Sequence, residues 1–210
     1  MRLFSLLAAA LTLLALAGTD TAAAQQVVLR PTPVVTPGGR MIVERGVSAR
    51  QRAQLRAQLA ARRALNFQRF RQYAQRGIFP DNHVRAGMLN VLIDDEGKIC
   101  AAANLMALDG LRGLVQTTAQ RDNYLPFANV HQGPLMAWML SSGFTQEEID
   151  EIQEPYDFID FDAPALVPQR EEGEKDRLQA RFRQVEGILR AQWERSLDVA
   201  LERLLVWRAQ

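Results

Sequence analysis

The chain has 210 residues, of which 48% are hydrophobic and 23% are charged, and its formal net charge is +1. This composition supplies enough apolar material for one hydrophobic core, and the near-neutral charge argues against a protein dedicated to nucleic acid or another polyanion. A single cysteine, Cys100, excludes an intramolecular disulfide.

Residues 1–24 have the pattern of a cleavable secretory signal peptide. Arg2 precedes an apolar stretch over residues 3–17, and the small residues Ala22 and Ala24 occupy the positions that signal peptidase requires. The apolar stretch is short for a membrane span, and no later segment is apolar for long enough to cross a bilayer. We therefore expect an exported protein that begins at Gln25, is soluble after cleavage, and is located in the periplasm or outside the cell.

Residues 25–47 are rich in proline and glycine and show no helical period, so they predict an extended tether. Residues 48–210 then form the single globular domain. Its first predicted helix runs from an N-cap at Ser48 to a C-cap at Gly77. One face of this helix is apolar and is expected to pack on the core: Leu55, Leu59, Phe67, Phe70, Tyr73 and Ala74.

The middle of the chain predicts both strands and helices. Residues 88–93 and 99–103 flank the acidic turn 94–98, which is typical of a β-hairpin, and a helix is expected to follow from about Asn104. A helix opened by Pro134 is expected to end at Gly143. Thr145 and Glu148 have capping-box spacing and predict a second short helix.

From Arg170 to the end, apolar residues recur at helical spacing through about nine turns. Such a helix is longer than a domain of this size needs, so a dimer through it is an open alternative. Together these patterns predict an α+β fold that is mostly helical, with one β-hairpin packed with several helices and a long amphipathic C-terminal helix.

Cys100 could serve as a thiol nucleophile with His131 or His83 as its base. Its neighbours are apolar, which equally suits a cysteine buried in the core. The two histidines have no third ligand at diagnostic spacing, so no metal site is predicted. No cofactor motif is found, and no cofactor is expected.

Residues 147–162 hold eight acids and no basic residue. Their spacing does not match a calcium loop, which also needs a turn glycine. We therefore expect a solvated acidic face, with Tyr156, Phe158 and Phe161 turned inward.

Three arginines of the first helix, Arg52, Arg56 and Arg63, share a face with its leucines. They are candidate binding residues because buried guanidinium groups need an anionic partner. This partner is either an anionic envelope component or the protein's own acids, within residues 147–162 or at the start of the last helix. The near-zero net charge favours the internal partner.

Taken together, the residues favour a binding or structural interaction protein over an enzyme. Its partner is a protein or an anionic envelope component, and export argues against nucleic acid. The alternative function is a small hydrolase that uses Cys100 with His131 or His83.

Overall fold

The computed structural model describes residues 32–35, 41–44 and 47–209. The chain divides into two units, Met1–Val47 and Ser48–Gln210. In the first unit, strand β1 (Thr32–Val35) pairs antiparallel with strand β2 (Met41–Glu44). The predicted signal peptide lies outside the described residues, as does most of the predicted tether.

The second unit is built from helices, which make up about two-thirds of residues 47–209. A 3₁₀ turn, Phe127–Asn129, precedes the fourth α-helix. The α-helices within this part of the chain are α1 (Ala49–Arg76), α2 (Ala101–Leu108), α3 (Arg112–Arg121), α4 (Gly133–Ser141), α5 (Gln146–Gln153), α6 (Val167–Ala191) and α7 (Trp193–Arg208).

The predicted β-hairpin is wrong, and with it the α+β fold class. Its turn does form: the amide of Asp94 donates to the carbonyl of Lys98 (3.0 Å), and Ile93 and Ile99 form an isolated antiparallel bridge. Beyond this bridge the two sides separate. Between residues 47 and 209 the structure contains isolated bridges but no strand.

The two sides separate because the first pairs with a distant segment of the chain and the second becomes a helix. Leu89 exchanges backbone hydrogen bonds with Tyr156, which is far away in the sequence (2.9 Å for both bonds). On the other side, helix α2 begins at Ala101, where three alanines favour helix. Cys100 is the N-cap of this helix, so the segment predicted as the second strand is mostly helical.

Helix α1 packs against α2, α6 and α7. Its predicted apolar face is confirmed: four of the six residues are buried, and Phe67 and Ala74 are partly buried against the core. Both halves of the helix dock, because the arginines on this face find acidic partners, as described below. The buried apolar residues of α1 are Leu55, Leu59, Phe70 and Tyr73.

The long C-terminal helix is interrupted at Gln192, between α6 and α7. In an unbroken helix the carbonyl of Leu189 accepts the amide of Trp193. Here that carbonyl accepts a hydrogen bond from Arg63 Nη2 (2.8 Å) instead. Insertion of a side chain into the helical hydrogen-bond ladder is a known cause of a helix break, and it accounts for this one.

The corner between α4 and α5 follows the sequence closely. Gly143 adopts a left-handed φ of 84°, and Thr145 is the N-cap of α5. The predicted capping box is confirmed: the Thr145 hydroxyl accepts from the Glu148 amide (3.2 Å), and the Glu148 carboxylate accepts from the Thr145 amide (2.9 Å). The box fixes where α5 begins and points the Glu148 side chain into the interior.

Candidate binding site

Cys100 is part of the hydrophobic core and caps helix α2. Its side chain is fully buried, and its Sγ atom accepts a hydrogen bond from the amide of Ala103 (3.3 Å). Burial raises the pKa of the thiol to about 11. Within the described residues no hydrogen bond joins Cys100 to a histidine. The geometry therefore supports core packing and gives no support to a thiol nucleophile.

We expect iodoacetamide to modify Cys100 in the folded protein at least about 100-fold more slowly than in the denatured protein at the same pH, since both burial and the raised pKa suppress the reactive thiolate. Intact-mass spectrometry over a time course measures both rates. Comparable rates in the two states would contradict the structural role of the thiol.

The two histidines occupy different surroundings. His83 Nε2 lies 3.2 Å from an Asp95 carboxylate oxygen, and the ring stacks edge-on against Phe161 with 5.3 Å between ring centroids. His131 is exposed after the 3₁₀ turn. Among residues 47–209 no three potential ligands come together to hold a metal ion.

The three candidate arginines of α1 all pair with acids of this chain. Arg56 contacts Glu194 and Asp198, both at 2.8 Å, and Arg52 pairs with Glu202. The prediction of internal partners is confirmed, but these two arginines meet acids of α7, beyond the predicted positions. The reason is that α7 runs alongside α1.

Arg63 is the third candidate, and it meets an acid of the predicted stretch. Its guanidinium group is fully buried and donates to both carboxylate oxygens of Glu148 (2.6 and 2.7 Å). It also donates to the carbonyls of Gly143 and Leu189. Ser196 donates to the same carboxylate (2.7 Å). This network joins α1, α5, α6 and α7, so Arg63 acts in folding and is not open to an external ligand.

The guanidinium of Arg63 is enclosed by aromatic rings as well as by acceptors. Its central carbon lies 5.0 Å from the ring centroid of Phe144 and 4.9 Å from that of Trp193. These cation–π contacts replace part of the hydration that the charge loses on burial. The site is filled by the protein itself.

A concave surface does form elsewhere, at the acidic end of the second unit. We call it the acidic cleft. It has a volume of about 420 Å³ and combines five carboxylates with one imidazole and two aromatic rings. It is lined by Asp81, His83, Asp95, Glu96, Phe158, Asp160, Phe161 and Asp162.

Two loops build the acidic cleft. An isolated parallel bridge between Asn82 and Phe158 joins them, and the amide of Ile159 donates to the carbonyl of Asn82 (2.8 Å). The buried side chain of Asn82 donates to the carbonyls of Gly87 (2.8 Å) and Tyr156 (3.2 Å). The cleft therefore has a hydrogen-bonded base, although its walls are loops.

The base carries a further charge cluster. The amides of Lys98 (2.8 Å) and Asp81 (3.2 Å) donate to the buried carboxylate of Asp94. Burial raises the pKa of Asp94, although these two hydrogen bonds oppose it. Burial lowers the pKa of Lys98, but its hydrogen bonds to Asp81 and Glu96 outweigh this and the net pKa is raised. Lys98 thus offsets only part of the negative charge of the acidic cleft.

The aromatic residues of the acidic stretch differ from the sequence expectation. Tyr156 is fully buried, as predicted, but Phe161 is 47% exposed and Phe158 is half-buried. Both rings line the acidic cleft. The expectation that all three turn inward is therefore wrong, and the exposed rings give the cleft an apolar component.

Sequence reasoning missed the acidic cleft. The turn 94–98 predicted a hairpin, and the acids of residues 147–162 predicted a solvated face. Nothing in the sequence indicates that Asn82 contacts Phe158.

Comparison with known protein families, with curated proteins and with solved structures gives no match for this chain. None of the described helices is long and apolar enough to cross a membrane.

Proposed function

We propose that the chain is an exported, non-catalytic binding protein that captures a cationic, partly apolar peptide segment of a partner protein in the acidic cleft. The observation that carries the proposal is the combination of five carboxylates with two accessible phenylalanine rings in one concave surface. Carboxylates attract arginine and lysine, while aromatic rings bind both their apolar stems and their charged heads.

The same surface disfavours other classes of ligand. Clustered carboxylates repel the phosphates of nucleic acids and of anionic lipids. A hydrolase that uses Cys100 is disfavoured because the thiol is buried and its pKa is raised. A dimer through the C-terminal helices stays a prediction, and the burial of their apolar stripe within the second unit counts against it.

A defined peptide probe tests the proposal. We expect a fluorescein-labelled peptide of alternating arginine and leucine to bind saturably, as measured by fluorescence anisotropy. Its affinity should fall as ionic strength rises, because salt screens contacts between exposed charges. The variant Asp160→Asn/Asp162→Asn should weaken binding by roughly 2- to 30-fold, since each lost ion pair between exposed groups contributes about 0.2–1 kcal/mol.

Two controls make this result specific. The variant Asp176→Asn/Glu202→Gln removes the same charge from α6 and α7, outside the cleft, and should leave the affinity unchanged. A probe with glutamate in place of each arginine should not bind. Equal weakening by both double variants would reduce the binding to a general charge effect and overturn the proposal.

Export rests on the sequence of residues 1–24 and has its own test. We expect the mature chain to begin at Gln25, because Ala22 and Ala24 satisfy the signal-peptidase rule. Mass spectrometry of the protein from its native cell identifies the first residue. A chain that retains residues 3–17 would overturn export without affecting the acidic cleft.

A further inference from the structure

A second concave surface of opposite charge lies on the exposed side of α1, where α1 meets the end of α2. We call it the basic groove. Its volume is about 430 Å³, and Arg69, Gln72 and Arg76 lie along one face of the helix at spacings of three and four residues. Leu108, which is 49% exposed, adds an apolar contact. The basic groove is lined by Arg69, Gln72, Gln75, Arg76 and Leu108.

The two arginines of the basic groove differ in how their charges are used. Arg69 donates to a carboxylate oxygen of Asp109 (2.6 Å) and to the carbonyl of Leu108 (3.0 Å), so its position is fixed. Asp109 offsets only part of its charge, because the same carboxylate also pairs with Arg62. Arg76 forms no ion pair with any carboxylate of the described residues. Its Nη2 atom donates instead to the neutral side chain of Asn104 (3.0 Å). Arg76 therefore keeps an uncompensated positive charge at the groove.

Asn104 holds this charge in place. Its side chain is buried, and its Oδ1 atom faces the guanidinium of Arg76. Because Oδ1 accepts from Arg76, the Nδ2 group must point elsewhere, and it has no hydrogen-bond partner within the described structure. A buried amide donor without an acceptor is unusual in proteins. Because the amide is neutral, Asn104 orients the guanidinium of Arg76 without neutralising its charge.

We propose that the basic groove binds a carboxylate that is attached to an apolar group. The planar guanidinium of Arg76 matches a carboxylate in two-pronged geometry, and Leu108 contacts the apolar group. Asn104 is a positioning residue that orients Arg76. The amides of Gln72 and Gln75, which form no hydrogen bond to the described residues, lie on the same face and are available as donors. This inference is independent of the acidic cleft.

Nuclear magnetic resonance titration of the full mature chain tests the inference. The probes are acetate, hexanoate and N-acetyl-leucine at constant ionic strength. We expect saturable shifts of the Arg76 Nε and Asn104 Nδ2 signals with hexanoate or N-acetyl-leucine, and of the Leu108 methyl signals as well. Both probes should bind at least about 10-fold more tightly than acetate, because each buried methylene strengthens binding several-fold.

The probe that binds with the higher affinity, hexanoate or N-acetyl-leucine, identifies the source of the carboxylate. Tighter binding of hexanoate indicates a fatty acid, and tighter binding of N-acetyl-leucine indicates the C-terminus of a peptide. Either result supports the site. Shifts that rise linearly without saturation for every probe would overturn it.

Variants connect the binding to named atoms. Arg76→Gln should abolish saturation, and Arg76→Lys, which keeps the charge but lacks the planar fork, should restore only part of it. Asn104→Asp gives Arg76 an internal carboxylate and should also abolish binding. Arg183→Gln is the matched control, since it removes an exposed arginine of α6 that makes no ion pair within the described residues. Unchanged affinity in Arg76→Gln, or an equal loss in Arg183→Gln, would contradict the assignment.

Discussion

Glu148→Gln is expected to lower the free energy of unfolding by about 3–5 kcal/mol, because it leaves a buried guanidinium without a countercharge. Arg63 is fully buried, and the Glu148 carboxylate accepts hydrogen bonds from both terminal nitrogens of Arg63. Glutamine keeps the shape of the side chain, and its oxygen can still cap α5 and accept from one Arg63 nitrogen. The substitution removes the charge and replaces the other acceptor of Arg63 with an N–H donor. Urea denaturation followed by circular dichroism measures the change.

Two further variants separate the charge effect from general damage. Arg52→Gln removes an exposed partner of Glu202 on the same helix and should lower the stability by less than about 1 kcal/mol. Arg63→Met/Glu148→Gln removes both buried charges and should be more stable than Glu148→Gln alone. If the double variant is the less stable of the two, the cost lies in lost packing and hydrogen bonds instead of in the unpaired charge.

The features that the sequence predicts correctly are local ones. The capping box depends on Thr145 and Glu148, which are three residues apart, and the apolar face of α1 depends on helical spacing alone. The pairing of Arg63 with an internal acid was also predictable, because a guanidinium on an apolar face has few alternatives. In each case the physical constraint lies within one helix or follows from charge balance.

The features that the sequence does not predict depend on distant contacts. The hairpin fails because Leu89 pairs with Tyr156, and the last helix is interrupted because Arg63 takes the carbonyl of Leu189, 126 positions away. The acidic cleft depends on the bridge between Asn82 and Phe158. Local periodicity carries no information about such pairings, so both the cleft and the helix break become visible only in the folded chain.

Gly143→Ala is expected to lower the free energy of unfolding by about 2–5 kcal/mol, which combines the strain of a left-handed backbone with overpacking. Gly143 has a φ of 84°, and a Cβ atom there would lie 2.4 Å from the carbonyl oxygen of Leu59 and 2.5 Å from the amide nitrogen of Arg63. Both atoms belong to the backbone of α1 and cannot rotate away. The α4–α5 corner would have to retreat from α1 and weaken the hydrogen bond that Gly143 accepts from Arg63.

Gly110→Ala is the matched control for this prediction, because Gly110 has a φ of 82° but nothing within 4 Å of the added Cβ atom. It carries the same backbone strain without the overpacking, so it should lower the stability by only about 1–2 kcal/mol. Thermal and urea unfolding of the two variants measure the difference, which reports the close approach of the corner to α1. Equal losses would mean that the α4–α5 corner lies farther from α1 than the structure shows.

The α4–α5 corner that contains Gly143 also presents Glu148 to Arg63. The loss of stability caused by Gly143→Ala should therefore be smaller in the Arg63→Met/Glu148→Gln background, where the corner no longer has to hold a buried ion pair.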